Sequence, residues 1–279
     1  RERSWGAQAR GDVFMAPKQL WARRELILQF ARRDLAARYA GSLGGASWLI
    51  AQPALLLALY TFVFVEIFKV RWPNAAGGAT SVDFALMAFA GLSLHAMFAD
   101  CASRAVGLIS GNPNFVKKQQ FPLETIGIAL TAASFVQYLA ALALLVVLSV
   151  VVYGLPPWTF LLLPLYLLPF FVLCVGTVWL LSSLGVYLRD LGQIVGMVMT
   201  ALFFLSPILY PVEFVPEAYR VFIALNPLTF PVEAVRSLLF DGVVPDTFGF
   251  ALYATMSVIV LALSVFVFGR LKHGFADVL

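Results

Sequence analysis

Hydrophobic residues along this chain are gathered into six long apolar stretches that short polar segments separate. Each stretch has about the 20 residues that an α-helix needs to cross a hydrocarbon core of about 30 Å, and four of them carry no charged side chain. A charge at the bilayer centre costs about 2.5–3.5 kcal/mol, so such stretches are typical of membrane spans. The predicted spans cover residues 48–68, 84–103, 125–152, 158–188, 191–210 and 247–268. The pattern predicts an all-α polytopic membrane protein with six transmembrane helices in a domain of residues 46–270.

Before the first span, the pattern changes to that of an amphipathic helix. Residues 1–18 show no period and are predicted to form a flexible tail. In residues 19–40, apolar side chains recur at helical spacing between arginines, which is typical of a helix lying in the bilayer interface. The arginines are Arg23, Arg24, Arg32, Arg33 and Arg38. Two interpretations stay open: an anchor for the first span alone, or an anchor that also contacts a cytoplasmic partner.

A short basic helix is predicted between the second and third spans, in residues 111–122. Asn112 followed by Pro113 is a favourable helix start, because asparagine caps and proline fits the first helical position. Pro122 ends the helix. A stiff helix held between two membrane helices is suited to passing a push from a soluble partner into the membrane. We therefore interpret this segment as a coupling helix.

The second span holds three polar side chains near its end, His95, Asp100 and Arg104. Asp100 and Arg104 are four residues apart with the acid first, which is the favourable order for a helical ion pair. A proton relay through His95 is conceivable, although a solitary histidine is more often a packing residue.

Residues 211–242 form a second irregular segment, between the fifth and sixth spans. Prolines break the chain at its start, and its two apolar pieces, residues 217–225 and 227–240, are each too short to cross a bilayer. Irregular backbone at membrane depth survives only inside protein or beside a water-filled cavity. The segment predicts a re-entrant helical hairpin on the outer side of the membrane. An outer loop with two surface helices is the alternative.

Composition and charge agree with a membrane protein and fix its predicted orientation. The 279 residues are 61% hydrophobic and 12% charged, against about 25% charged in soluble domains. The net charge of +4 could suggest nucleic acid, but 15 of the 19 basic residues fall on one side of the predicted topology. By the positive-inside rule both termini are cytoplasmic, with residues 271–279 as a cytoplasmic tail. No nucleic-acid partner is expected.

Motifs for enzyme chemistry are missing from the sequence. No G-x-x-x-x-G-K-[ST] segment is present, so the chain does not bind ATP through a P-loop. Two histidines and two separated cysteines do not compose a usual zinc site. A membrane-embedded transferase would need clustered carboxylates or histidines facing a cavity, and the sequence shows none. We expect no catalytic residue, metal or cofactor in this chain.

Short motifs follow one another from residue 33 to residue 270. The first group reads Arg33-Asp34, Arg38-Tyr39, Ser42, Gly45, Trp48 and Gln52-Pro53. The middle group reads Gly111-Asn112-Pro113-Asn114, Val116-Lys117-Lys118 and Phe121-Pro122. The last group reads Gly185-Val186, Arg189-Asp190-Leu191-Gly192-Gln193, Ser206-Pro207, Asn226-Pro227-Leu228, Glu233 and Arg236. In this order they resemble the permease subunits of ATP-binding-cassette exporters of bacterial polysaccharides, the group that exports O-antigen, capsule and teichoic acid. Gly44 departs from the pattern, where a larger apolar residue is expected.

The resemblance implies a homodimer in the bacterial inner membrane that works with two separate ATPase subunits, which carry ATP and Mg. The implied substrate is a glycan on a polyprenyl-diphosphate lipid, with O-antigen first, capsule or teichoic acid second, and a drug or simple lipid as the further alternative. The implied ATPase-coupling residues are Arg33, Asp34, Asn112, Pro113, Asn114, Phe115, Lys117 and Lys118.

Two further sets of residues follow from the resemblance, and a third follows from charge and position. Side chains of the first and fifth spans are implied to line the substrate path: Trp48, Tyr60, Phe64, Phe203, Phe204 and Tyr210. The re-entrant hairpin and its flanks are implied to close the outer side: Pro211, Glu213, Pro216, Asn226, Glu233 and Arg236. By charge and position, three arginines of the amphipathic helix are predicted to attract the lipid diphosphate: Arg32, Arg33 and Arg38.

Overall fold

The computed structural model describes residues 21–69, 81–116 and 122–279, and within these ranges the chain forms α-helices joined by short turns. The helices are α1 (Arg24–Tyr39), α2 (Trp48–Tyr60), α3 (Ser81–Val106), α4 (Pro113–Val116), α5 (Glu124–Tyr153), α6 (Leu163–Gly185), α7 (Leu191–Leu205), α8 (Glu217–Ala224), α9 (Thr229–Arg236), α10 (Thr247–Leu271) and α11 (Phe275–Val278). Two of them continue as π-helical segments, α2 through Thr61–Ile67 and α9 through Ser237–Asp241. Helices α6 and α11 each follow a short 3-10 turn, Trp158–Leu162 and Lys272–Gly274.

Five of the predicted spans are confirmed as helices that are long and apolar enough to cross a membrane. They are Gly45–Ile67, Val82–Val106, Glu124–Tyr153, Trp158–Gly185 and Thr247–Val278. The predicted tail of residues 1–18 lies outside the described residues. Within the range predicted for the amphipathic helix, residues 19–40, the structure has helix α1, with a basic side chain, Arg38, in its last turn. Its place in the bilayer interface stays a prediction.

Helix α7 is shorter than the fifth span that the sequence predicts. It begins at Leu191 as expected, but it ends at Leu205 because Ser206 adopts extended backbone angles before Pro207. Its 15 residues reach about 22 Å at 1.5 Å per residue, less than the hydrocarbon core. A sixth span at this position is therefore not confirmed by helix length.

Helix α3 is the centre of the molecule, with α5, α6, α7 and α9 packed around it. In its most apolar 18-residue window, 78% of the residues are buried. By contrast, within α2, all of which the structure describes, Leu57 is the single buried residue. The hydrophobic surface of α2 is thus mostly left uncovered by this subunit.

Two glycines permit close helix contacts that hold the long helices together. A Cβ atom on Gly185, at the end of α6, would lie 2.1 Å from the carbonyl oxygen of Val106, at the end of α3. A Cβ atom on Gly176 would lie 3.1 Å from the backbone of Leu261, in α10. Any larger residue would push these helices apart, because protein interiors are close-packed.

The segment between α7 and α10 contains the two helical pieces that the sequence predicts. Helix α8 matches the first piece, and α9 with its π-helical continuation matches the second. Asn226 lies in the turn between them, where its side-chain oxygen accepts a hydrogen bond from the backbone N–H of Leu228 at 2.9 Å.

Candidate functional site

The α1 clamp, as we call the ion-paired side chains of Asp34, Arg38, Asp100 and Arg104, joins α1 to α3. Arg104 donates hydrogen bonds to both oxygens of the Asp34 carboxylate, from Nη1 at 2.9 Å and also from Nη2. Arg38 donates from Nη2 to Asp100 at 2.8 Å and from Nε to Asp34 at 3.3 Å. Two positive and two negative groups balance, and the charge-assisted bonds of a guanidinium fork also fix geometry.

Helix α5 supports the α1 clamp from the other side. Arg38 Nη1 donates to Gln137 Oε1 at 2.6 Å, and the Ser134 hydroxyl donates to Asp100 at 2.5 Å. Nearer the start of α1, the buried Ala31 packs against two alanines of α5, Ala129 and Ala133. Helix α1 is therefore attached to two long helices by both polar and apolar contacts.

The arginines of α1 differ in their surroundings. Arg38 is only 15% exposed and is held by two carboxylates. Arg32 and Arg33 are exposed, and the Arg33 guanidinium lies 4.7 Å from the ring centre of Phe30. The attraction of a lipid diphosphate by these three arginines stays a prediction, and the structure leaves Arg32 and Arg33 better placed to meet an anion. The predicted Asp100–Arg104 pair is present at 3.7 Å, but Asp34 is the nearer partner of Arg104.

The coupling segment predicted at residues 111–122 contains α4, which is four residues long. The Asn112 side chain donates a hydrogen bond to the carbonyl of Leu108 at 2.9 Å. It therefore binds the backbone just after α3 and does not provide the cap of α4 that the sequence predicts. Phe115 meets Phe30 of α1 edge to face, with ring centres 5.5 Å apart. Thus α4 contacts the amphipathic helix directly. Lys117 and Lys118 lie outside the described residues.

The aromatic residues implied for the substrate path form two small groups. Tyr60 and Phe64 stack at 5.8 Å between ring centres, around the start of the π-helical segment. Phe203 and Phe204 meet edge to face at 5.1 Å in α7, and Tyr210 donates to the Phe204 carbonyl at 3.1 Å.

Exposure and one further contact describe the surroundings of these aromatic groups. Trp48 and Phe204 are 41% and 66% exposed, so the subunit leaves their rings available. The sequence leaves His95 of α3 open as a packing residue or a proton relay, and its contacts in the structure are those of a packed residue. Its Nε2 lies 3.0 Å from the Met199 carbonyl, and its ring packs on Phe203.

The residues implied for the outer gate fall into a buried set and an exposed set. Arg236 is 3% exposed and donates to three backbone carbonyls, of Met87, Pro207 and Ile208, at 2.6–3.0 Å. Glu233 also accepts from Arg236 at 3.0 Å.

The other members of that set connect differently. Asn226 is buried, and its side-chain amide donates to the Ser206 hydroxyl at 3.0 Å. Pro211 is buried, whereas Glu213 and Pro216 are exposed in the turn before α8. The structure therefore brings Asn226, Glu233 and Arg236 to the break after α7 and places Glu213 and Pro216 at the surface.

A cavity of about 170 Å³ lies between α2, α3 and α5. Its polar lining includes Gln52, Asp100, Ser134 and Gln137, next to the α1 clamp. Tyr138 also lines it, and its buried hydroxyl has no hydrogen-bond partner among the described residues. Sequence reasoning did not single out Gln137 and Tyr138, although polar residues inside a charge-free span were a usable signal.

The relatives found by comparison with known proteins are named for the export of O-antigen or the transport of polysialic acid. The chain is 25% identical to the O-antigen export system permease protein RfbA of Myxococcus xanthus, over 93% of this chain and 97% of that protein. It is 27% identical to a protein of the same name from Klebsiella pneumoniae, over 91% and 95%. It is 22% identical to the polysialic acid transport protein KpsM of Escherichia coli, over 77% and 81%.

The wider family is defined by a match over most of the chain. The profile of the ABC-2 type transporter family matches residues 25–240, from the start of α1 to the end of the hairpin segment. This range includes the α1 clamp, α4, the aromatic groups and the Arg236 contacts. The chain is therefore a member of the ABC-2 type transporter family.

Proposed function

We propose that this protein is the transmembrane subunit of an ATP-driven exporter of lipid-linked polysaccharide, with O-antigen on a polyprenyl diphosphate as the first candidate substrate. The observation that carries the proposal is the likeness to O-antigen export permeases along more than 90% of the chain. The lesser likeness to a polysialic acid transport protein makes a capsular polymer the second candidate.

The proposed assembly is a homodimer in the bacterial inner membrane with two ATPase subunits at its cytoplasmic face. Both termini of the chain are cytoplasmic, and ATP and Mg are bound by the partner. In this assembly the exposed surface of α2 is available for contact with the second copy as well as with lipid. A hydrated polymer cannot dissolve in acyl chains, so two copies would enclose a continuous path.

In the proposed mechanism the ATPase acts on the side where α1 and α4 lie. Phe115 of α4 packs on Phe30 of α1, and the α1 clamp joins α1 to α3 and α5. A displacement of α4 or α1 would therefore be passed to the central helix. Packed interiors transmit such a displacement because they are nearly incompressible.

The proposed path lies between the two subunits, beside α2 and α7. Helix α7 with residues 206–210 provides the sixth crossing, and residues 211–242 form the re-entrant hairpin that closes the outer side. Buried Arg236 supports this arrangement, because irregular backbone at membrane depth needs internal hydrogen-bond partners. The aromatic rings of Phe203, Phe204 and Trp48 offer flat surfaces on which sugar rings can slide.

The proposal is tested in inverted inner-membrane vesicles that contain this chain together with a candidate partner ATPase subunit. A glycan on polyprenyl diphosphate is added outside, and its protection from an added glycosidase is measured with and without ATP. We expect ATP-dependent protection that disappears when the P-loop lysine of the ATPase is replaced.

The alternative substrates give different results in the same vesicles. Protection of a capsular polymer but not of the diphosphate-linked glycan would move the assignment to capsule export. ATP-dependent uptake of a small amphiphilic dye, with neither polymer protected, would overturn the polysaccharide assignment in favour of a drug or lipid exporter.

A further inference from the structure

The segment that follows the last long helix is packed into the protein rather than loose. It consists of the 3-10 turn Lys272–Gly274 and the short helix α11. The side chain of Phe275 is fully buried. Its ring meets Phe268 edge to face at 5.8 Å between centres, and it lies 6.1 Å from the ring of Tyr187. The cytoplasmic tail predicted for residues 271–279 is thus anchored by one aromatic side chain.

Phe275 belongs to a buried group that contains residues from both sides of the coupling segment. Ile109 precedes α4 and is 1% exposed, and Leu123 follows the segment and is 5% exposed. Phe115 and Val116 of α4 pack against the same group. One apolar cluster therefore holds the beginning, the helix and the end of the coupling segment.

The other members of this cluster come from the long helices. Ile126 of α5, Val175 and Trp179 of α6, and Phe268 of α10 complete it, together with Val186. We call the whole group the inner-end cluster. A force applied at α4 can reach three candidate membrane helices through it.

Polar contacts attach the segment that follows α10 to the start of α5. Lys272 Nζ lies 2.8 Å from Glu124 Oε1, and Glu124 directly follows Leu123. The Glu124 backbone carbonyl also accepts a hydrogen bond from Trp179 Nε1 at 3.0 Å. Tyr187 donates to the Leu271 carbonyl at 2.9 Å. The segment is thereby tied to both α5 and the end of α6.

We propose that residues 272–278 act as a brace for the coupling segment, with Phe275 and Lys272 as its positioning residues. The proposal rests on the exporter function proposed above, because the brace has a role only where a partner pushes on α4. It adds a third element to the face that receives the ATPase, beside α1 and α4.

The need for a brace follows from the size of α4. A helix of four residues cannot hold itself together, because isolated helices shorter than about 12 residues are marginal in water. Its position depends on side-chain packing, which Phe30 supplies from one side and the inner-end cluster from the other. Removing the brace weakens the packing of α4 against the inner-end cluster. Part of the force that the partner applies to α4 then moves α4 alone and does not reach the membrane helices.

The test uses the full complex and measures glycan exported per ATP hydrolysed. Lys272→Glu should lower this ratio about three- to tenfold, as mutations in coupling networks do. The exchange Lys272→Glu with Glu124→Lys should restore it, because the ion pair is re-formed with its charges reversed. Membrane abundance is measured for every variant, because the brace lowers the ratio at unchanged abundance, whereas a merely structural ion pair would lower the abundance instead.

A second set of variants tests the aromatic anchor. Phe275→Ala should lower the same ratio, Phe275→Leu should retain most of it, and Val278→Ala should leave it unchanged, because Val278 is 52% exposed on the same helix. Should Phe275→Ala fail to accumulate, the charge exchange still decides.

The outcomes separate the brace from the exporter function itself. An unchanged ratio in Lys272→Glu would overturn the brace while leaving the exporter assignment intact. A ratio that the charge exchange does not restore would also overturn it. Absence of any ATP-dependent export by the unmodified complex would instead refute the proposed function.

Discussion

Arg236 carries the most demanding set of contacts of any side chain in the hairpin segment. Its guanidinium offers five N–H donors in a fixed plane, and the structure uses them on three backbone carbonyls and on Glu233. Pro207 and Ile208 lie where α7 has ended, so their carbonyls lack helical partners. The arginine therefore replaces the hydrogen bonds that a continuous helix would have supplied.

Replacing Arg236 should destabilise the protein strongly. Arg236→Ala removes the arginine donors of the Pro207 and Ile208 carbonyls and the partner of Glu233, and we expect a loss of about 3 kcal/mol or more. Thermal unfolding of the purified protein in detergent measures it as a lower Tm. Arg220→Ala is the matched control, because Arg220 lies in the same segment and also donates to backbone carbonyls but is exposed. Equal Tm values for the two variants would contradict this account of Arg236.

The sequence identified Arg236 but not what it does. A charge beside an apolar stretch predicts a paired or buried group, and the resemblance implied a place at the outer gate. The actual acceptors include the Met87 carbonyl, 149 residues away in the chain. Such a contact depends on how α9 docks against α3, and no local pattern contains that information.

Helix α1 was predicted well in extent and less well in its contacts. The period of apolar residues gave a helix in residues 19–40, and α1 lies within that range. The arginines were interpreted as a surface facing lipid or a partner. Arg38 instead pairs inside the protein, because Asp34 and Asp100 provide carboxylates at the same level. The spacing of residues within α3 predicts the ion pair between Asp100 and Arg104. The ion pairs between α1 and α3 depend on how the two helices pack, which spacing does not reveal.

Asp34 should control how firmly α1 is held. Asp34→Asn removes the anion that faces two arginines, and charged hydrogen bonds contribute about 1.5–3 kcal/mol each. We expect trypsin cleavage within α1 to become about tenfold faster under native conditions, because the free energy of local unfolding of α1 decreases. Quantitative gels of the time course measure this rate.

Glu25→Gln is the control for that comparison. Glu25 is an exposed acid on the same helix, so its neutralisation should leave the cleavage rate unchanged. If Asp34→Asn and Glu25→Gln behave alike, the α1 clamp does not hold the helix.

Helix α7 shows where hydropathy alone misleads. The apolar stretch continues to Tyr210, so the predicted span does too, but the backbone leaves the helix at Ser206. The signal was present in the sequence, since a residue before proline is biased away from helical angles. The length of an apolar stretch and the length of the helix within it are different quantities, and hydropathy gives only the length of the stretch.

Taken as a whole, the subunit has an enclosed central helix and an outer layer of helices with exposed apolar surface. Helix α3 is enclosed, whereas α2 and much of α7 present large apolar side chains outward. This division could be predicted only in part, because every span reads as apolar and the sequence does not say which face meets protein. The proposed homodimer gives the exposed surface of α2 and α7 a second function besides contact with lipid.

Single cysteines on α7 should report the proposed subunit interface. The large apolar side chains exposed on α7 are Ile194, Met197, Val198, Phe204 and Leu205. At least one cysteine among them should form a disulfide between subunits under mild oxidation in membranes. Met199→Cys is the control, because Met199 is 8% exposed on the same helix and should not react.

The native thiols do not interfere with this assay, since Cys101 and Cys174 are buried. Crosslinking is measured on non-reducing gels. A complete absence of linked subunits for cysteines at all five of these positions would argue against α7 at the interface.

The balanced charges of the α1 clamp have an electrical consequence. Moving one elementary charge through a membrane potential of 100 mV involves about 2.3 kcal/mol. Two arginines and two aspartates that shift together carry no net charge, so the field does no work on them. The voltage across the membrane can neither hold this joint in place nor drive it, and its movement is left to mechanical load alone.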